Sequence, residues 1–260
     1  MRRRVLVTGA AGGLGRAIVT ALGEQDWTVI ATDRDGPGLE ALRADHRDVP
    51  HVQVRALDVT DEDAVAALAA GLGTLTGLVN VAGVLQAPAG LRDLDPEVHR
   101  TVWEVNYFGA VRCTRLFAPL MDGDGRVVNI TSVNELSPLP LYAYAPAKVA
   151  LGCFTRLAAG ELAARGIRVN AVAPGFTLTP AFADKIRDGE RDQAVIERHT
   201  AAGRLVRPAE VAAAVTFLLS DAAGAITGTT LPVDGGWLAT AHWMDFGDRL
   251  RTHPTMKEHR

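Results

Sequence analysis

The strongest constraint on this chain is a regular alternation of short β-branched runs with longer Ala/Leu segments of helical period. The runs are Arg4–Val7, Thr28–Thr32, His51–Leu57, Leu78–Val81, Arg126–Ile130, Ile167–Val172 and Thr230–Val233. Between the first two, Leu14, Ala17, Ile18, Ala21 and Leu22 make the i, i+3, i+4, i+7, i+8 stripe of a helix with one buried face. Glu62–Gly71, Pro96–Pro119, Tyr144–Arg165 and Pro208–Ser220 read as further helices. Strand and helix in turn, at roughly 25-residue spacing, require parallel strands joined by right-handed crossovers. The expectation is a doubly wound parallel α/β sheet of about seven strands with helices on both faces, its ligand site beyond the carboxyl ends of the strands.

The 260 residues contain no internal repeat, low-complexity tract or Pro/Ser linker, so a single domain is expected over residues 1–240, followed by a mixed-charge tail over 241–260. Leu178–Arg207 breaks the pattern: it is long, charged and weakly periodic, and reads as a lid over a site (about 178–207). A formal charge of −3, with few aromatics, offers no general attraction to nucleic acid or to an anionic membrane surface. No run approaches the roughly 18 apolar residues of a membrane span, and the N-terminus enters a strand after three arginines without a signal-peptide core. A cytoplasmic protein is expected. The only two cysteines, Cys113 and Cys153, sit in apolar helical runs and read as buried free thiols in a reducing compartment.

The first strand runs into Thr8-Gly9-Ala10-Ala11-Gly12-Gly13-Leu14-Gly15 and then into the first helix. Glycines in that place let the chain turn tightly and let a diphosphate reach backbone N–H groups at the positive end of a helix. Asp33 closes the second strand, 18 residues past Gly15, where a carboxylate can accept from both ribose hydroxyls of an adenosine and would repel a 2′-phosphate. Arg34 next to it could instead pair with such a phosphate. With Asp33 at the strand end and no basic residue in the turn before Gly13, NAD is favoured over NADP. Asp58, closing the third strand, can accept from an adenine amine or cap the helix that follows.

Tyr144 and Lys148 stand four residues apart, on one face of a helix, in a chain with only three tyrosines and three lysines. Tyr142 has Pro146 rather than a cation at the same offset. An ordinary tyrosine titrates near 10 and is a poor base at neutral pH, whereas an adjacent cation can lower a pKa by roughly 1–3 units. Lys148 together with an oxidised nicotinamide would bring the phenol to about 7–9, where it can exchange a proton with a substrate oxygen. Ser132, 12 residues before Tyr144 and just past a strand, is placed to hydrogen-bond a developing alkoxide or to cap a turn. Asn106 lies inside an apolar helix, where its amide must find partners.

With these pieces the sequence resembles the short-chain dehydrogenase/reductase family over nearly its whole length. The matching motifs are Thr8-Gly9-x-x-x-Gly13-x-Gly15, Asp58-Val59, Asn80-Val81-Ala82-Gly83, Asn106, Ser132, Tyr144-x-x-x-Lys148, Pro174-Gly175 and Val233-Asp234-Gly235-Gly236. The resemblance implies a Rossmann-type sheet and a catalytic tetrad. In it Tyr144 is the acid/base, Ser132 stabilises the substrate oxygen, Lys148 lowers the phenol pKa and holds the nicotinamide ribose, and Asn106 positions a water in the proton relay. It further implies that Asn80, Ala82 and Gly83 support the sheet and line the cofactor cleft with Val59, and that Pro174, Gly175 and Thr177 flank the nicotinamide. A homotetramer is implied too, with Pro96–Pro119 and Tyr144–Arg165 facing partner subunits. The chain departs from the pattern in Val81, in a Ser132-to-Tyr144 gap one residue short, and in Pro146.

The expected activity is NAD(H)-dependent interconversion of a secondary alcohol and a ketone, the competing reading being a non-catalytic NAD-binding scaffold or redox sensor. The substrate pocket is expected from Asn134, Leu139, Tyr142, Phe176 and Leu178, which suit a small to medium, mostly neutral cyclic alcohol, ketone or diol. Arg187, Arg191, His199 and Arg204 are expected as solvated lid charges, and no metal site is expected, since no second ligand stands at metal spacing from His199.

Overall fold

The computed structural model describes residues 3–25 and 27–243, the side chain of Asp122 excepted. All but the first three residues of the expected tail lie outside the described residues. The chain opens with β1 (Arg3–Thr8), α1 (Gly13–Gly23), β2 (Trp27–Asp33), α2 (Gly36–Asp45), β3 (Val52–Ala56), α3 (Glu62–Leu72) and β4 (Leu75–Asn80). It continues through α4 (Pro96–Trp103), α5 (Gly109–Phe117), β5 (Met121–Ile130), α6 (Val133–Leu136), α7 (Tyr144–Leu162) and β6 (Ile167–Pro174). It ends with α8 (Pro180–Arg187), α9 (Gln193–Arg198), α10 (Pro208–Leu219), β7 (Thr230–Val233) and α11 (Trp237–Thr240).

All seven strands run parallel in one sheet of order β3-β2-β1-β4-β5-β6-β7. The order reverses between β1 and β4, which opens a crevice at their carboxyl ends. Alternation along each strand divides the core. Val5, Val7, Val29, Ala31 and Val128 pack against α1, α2 and α10, while Leu6, Ile30, Leu78, Val127 and Val169 pack against α3, α5 and α7. This is the single doubly wound, Rossmann-type domain expected. α2 went unread in the sequence because it opens on Gly36-Pro37-Gly38 and buries only Leu39 and Leu42.

Two features aim the sheet's carboxyl end. The helix expected over Pro96–Pro119 is interrupted by a π-helical turn, Glu104–Phe108, that carries Asn106; such one-turn insertions re-aim side chains within a helix. A buried chain of amides and hydroxyls then ties α7 to the sheet. Asn80 donates to Thr114 Oγ1 (3.1 Å) and Asn129 Oδ1 (2.8 Å), and Asn129 donates to Thr155 Oγ1 (2.9 Å) on α7. Among the described residues no helix is long and apolar enough to cross a membrane. Cys113 is buried, which pushes its thiol up to about 12, but Cys153 is exposed, against expectation, because it lies on the outward side of α7.

Candidate active site

A cavity of about 420 Å³ opens beyond the carboxyl ends of the strands. Gly9, Gly12, Gly13, Leu14 and Gly15 form one side of it. Gly9 has φ +64°, and a Cβ there would lie 2.6 Å from the Ala82 backbone; at Gly15 it would lie 2.1 Å from the Gly9 carbonyl. Side chains at these positions would push the turn off the sheet. The N-cap of α1 is Gly12, with no side-chain cap and no acidic residue in the first turn. The N-terminal N–H groups of an 11-residue helix therefore face the cavity without a protein acceptor, the donor set a diphosphate fits.

Asp33, Arg34, Asp58 and Val59 line the cavity beside that turn. Asp33 Oδ2 accepts from the Ala11 N–H at 2.9 Å, so the carboxylate is tied to the glycine turn. Arg34 points to Asp58, 3.7 Å away. Burial opposes the charge on Asp58, but hydrogen bonds from Thr60 and the Arg34 guanidinium outweigh it and hold the carboxyl below its ordinary value. Helix α3 is capped by Asp61, which leaves Asp58 free of the capping duty weighed for it. Ala82, Gly83, Pro174, Gly175 and Thr177 complete this side, whereas Asn80 does not reach the cavity because the buried amide network engages it.

Tyr144, Lys148, Ser132 and Asn106 all line the same cavity. Helix α7 begins at Tyr144, so Pro146 falls in its first turn, where no N–H is missed. Gln86 fastens this end: its Oε1 accepts from the N–H groups of Ala143 (2.5 Å) and Tyr144 (2.9 Å). Lys148 is buried, donates to the Ile130 carbonyl at 2.8 Å, and holds its Nζ 5.5 Å from the Tyr144 ring centre. Ser132 caps α6, its Oγ accepting from the backbone N–H and from Nδ2 of Asn134 (both 3.2 Å). Asn134 is itself fixed by the Leu139 N–H (3.0 Å). With two donors already on its oxygen, Ser132 has its own proton left to give toward the cavity.

The electrostatics differ from the sequence expectation. Burial pushes the Tyr144 phenol above its ordinary value, and a hydrogen bond to Ser132 pulls only partly the other way. Burial also lowers Lys148 to about 8, against the pull of Glu135. Without a bound cofactor the phenol is thus raised rather than lowered, because its own burial outweighs the Ser132 hydrogen bond. Asn106 spends its amide on Val84, Oδ1 accepting from the N–H (3.0 Å) and Nδ2 donating to the carbonyl (2.9 Å). Its side chain props the loop after β4.

Asn134, Leu139 and Phe176 line the cavity, but Tyr142 (40% exposed) and Leu178 (43% exposed) do not. Tyr142 falls just before α7, outside the helical face that Tyr144 and Lys148 share, and the Leu178 backbone is pinned outward by its bond to the Val206 carbonyl. That bond, with the bridge between Thr177 and Val206, closes the base of the lid. Helices α8 and α9 lie within it, and Thr179, Phe182, Lys185 and Arg191 reach the cavity. Arg187 and Arg204 are spent on Asp184 and Glu210, and His199 bonds the Val195 carbonyl. Phe176 stacks edge-on to Trp237 (5.7 Å between ring centres) and tilted to Phe182 (6.0 Å), an apolar wall. Gln86, Phe182 and Lys185 carried no sequence signal: Gln86 is placed by a contact 57 residues along the chain, and Phe182 and Lys185 reach the cavity from the lid.

Comparison with known proteins agrees with this geometry. A family model described as enoyl-(acyl carrier protein) reductase matches residues 9–238. Cis-4-hydroxycyclohexanecarboxylate dehydrogenase of Sinomonas cyclohexanicum is 40% identical, the match covering 91% of this chain and 97% of that protein. An uncharacterised short-chain type dehydrogenase/reductase of Sinorhizobium fredii is 39% identical, the match covering 91% of this chain and 44% of that longer protein. Among solved structures, ElxO with NADP bound superposes with a TM-score of 0.85 at 28% identity, over 92% of this chain and all of that one. Fold, motif positions and relatives converge: the chain belongs to the short-chain dehydrogenase/reductase family, oxidoreductases that act on CH–OH groups with a nicotinamide cofactor.

Proposed function

We propose that the protein is a cytoplasmic NAD(H)-dependent oxidoreductase that interconverts a secondary cyclic alcohol and its ketone, with Tyr144 as the acid/base, acting as a homotetramer. The observation that carries this reading is that the Tyr144–Lys148–Ser132 group opens onto the same cavity as the uncapped N-terminus of α1. The α1 turn would hold the diphosphate and Asp33 the adenosine ribose, and a bound nicotinamide supplies or takes up the hydride. NAD is favoured because the nearby cations are committed: Arg34 faces Asp58, and Arg16 is held by Asp45 and by the carbonyls of Ala11 and Gly38. The tetramer rests on Phe108, Val149 and Leu157, apolar side chains exposed along the Glu104–Phe117 stretch and α7.

In reduction, Tyr144 gives its proton to the carbonyl oxygen as that oxygen gains charge, and Ser132 donates a hydrogen bond to the same atom. Lys148 offsets the phenolate left behind. Oxidation runs in reverse, the phenolate taking the alcohol proton. The aromatic wall of Phe176 and Phe182, with Leu139 and Leu141, suits a ring, and Arg191 gives the lining a cation for an acidic substituent. The relative that acts on a hydroxycyclohexanecarboxylate supports the same class.

Replacing Tyr144 by Phe should cut kcat by at least ~10²-fold. NADH affinity, read by fluorescence titration, should be kept. Wild-type turnover in that variant would refute the acid/base assignment; absence of turnover on any cyclic alcohol by the wild type, with tight NADH binding, would favour a non-catalytic scaffold.

A further inference from the structure

The geometry points to Glu135 as a positioning residue: its carboxylate seats in α7 one turn along from Lys148, sets a buried negative charge on the helix face that carries that side chain, and locks the helix of Ser132 to the helix of Tyr144. The inference deepens the functional reading above and rests on it for its catalytic consequence.

Glu135 follows Ser132 by three residues in α6, and its side chain is only 4% exposed. Oε1 accepts from Thr230 Oγ1 at 3.0 Å and lies 3.6 Å from Nη1 of Arg156, while Oε2 is buried with no hydrogen-bond partner. The carboxylate fits a notch in α7 made by Gly152, where a Cβ would come within 2.0 Å of Oε1. Gly152 is four residues after Lys148, so the notch lies on the face of α7 that carries the ammonium, one turn along. The charged groups facing Glu135 are Lys148 and Arg156 on α7, and Thr230 meets it from β7.

A role in packing alone does not explain this choice of residue. Burying a carboxylate with one oxygen unpaired costs stability, and glutamine would fill the same notch and accept the same Thr230 bond without a buried charge. What only the carboxylate supplies is negative potential at Lys148. Burial drives that ammonium down to about 8, and the charge of Glu135 opposes the loss. Were it absent, desolvation would act unopposed, and Lys148 would be neutral over more of the range in which Tyr144 needs a cation beside it.

The test uses lysine labelled with ¹³C at Cε in the cofactor-free protein. With three lysines in the chain, the Lys148 resonance is identified by its loss in Lys148→Met. Glu135→Gln is expected to lower the Lys148 titration midpoint by about one pH unit or more. In steady-state assays of the same variant, the alkaline limb of kcat should move down in parallel with little change in KM, and Glu135→Asp should restore part of both shifts. An unchanged midpoint overturns the inference. Should Glu135→Gln fail to fold, Arg156→Met removes a competing cation from the surface and is expected to raise the midpoint; no shift or a fall overturns the proposal. Because the NMR titration needs neither cofactor nor turnover, a shifted midpoint in a protein with no dehydrogenase activity would uphold the Glu135–Lys148 coupling and sink the functional reading alone.

Discussion

Lys148 shows what one residue can cost a fold. Its ammonium is enclosed, with the Ile130 carbonyl as its hydrogen-bond partner, and burial lowers it from an ordinary 10.5 to about 8. Between those values the unfolded chain holds a proton that the folded chain has lost, so stability rises with pH across that window and the full penalty is present below it. Lys148→Met should therefore abolish turnover yet raise Tm at pH 7, the gain shrinking as pH approaches 10.5. Calorimetry across that range checks this, and a lower Tm at pH 7 would mean that the bond to Ile130 outweighs the desolvation. Asp33 supports a second expectation at this scale. Asp33→Asn keeps an acceptor for the Ala11 N–H and removes the charge that would meet a 2′-phosphate. The NADP-to-NAD ratio of kcat/KM should rise about tenfold or more, equivalent to about 1.4 kcal/mol; an unchanged ratio would show that Asp33 does not select the cofactor.

Among the elements, α6 has a reach out of proportion to its four residues, because Ser132 caps it and Glu135 anchors it to α7 and β7. The π-helical turn between α4 and α5 does similar work, bringing Asn106 under the loop that carries Gly83 and Val84. At the opposite end of the sheet β5 buries Arg126, 2% exposed. It donates through one nitrogen to Asp124 and Asp221 and leaves Nε and Nη1 without partners. Two of the three nitrogens of a desolvated guanidinium are thus uncompensated, while both carboxylates keep access to water. Arg126→Met should leave stability within about 1 kcal/mol of wild type or raise it, as measured by urea unfolding. A loss of several kcal/mol would mean that the ion pairs carry net stability.

At the scale of the whole molecule, the strand order sets the cavity at the switch between β1 and β4, and the two helical layers close it from either side. The outer surface of α7 and the turn before α5 leave Leu157 69% and Phe108 46% exposed. If these meet partner subunits, Leu157→Arg buries an unpaired charge at the contact and should convert the tetramer to smaller species, seen by light scattering, with unchanged far-UV circular dichroism. A wild-type monomer, or an unaltered tetramer in the variant, would remove this surface from the interface.

Several parts of this protein could be read along the chain because their physical cause is local. β-Branched runs and the Leu14–Leu22 stripe mark strand and helix by period alone, and the turn at Gly9–Gly15 declares itself because a Cβ at Gly9 or Gly15 would strike neighbouring backbone. The i, i+4 relation of Tyr144 and Lys148 likewise needs nothing beyond one helix. Other features depend on residues far apart in sequence. The hold of Gln86 on the start of α7, the exclusion of Tyr142 and Leu178 from the cavity, the seat of Glu135 in the Gly152 notch and the desolvation of Lys148 all arise from contacts made only when the layers close. Chain chemistry alone determined the sheet, the glycine turn and the identity of the polar groups at the cleft. Tertiary structure decided their protonation and their partners, because burial and charge proximity are properties of packed neighbours and not of neighbours along the chain.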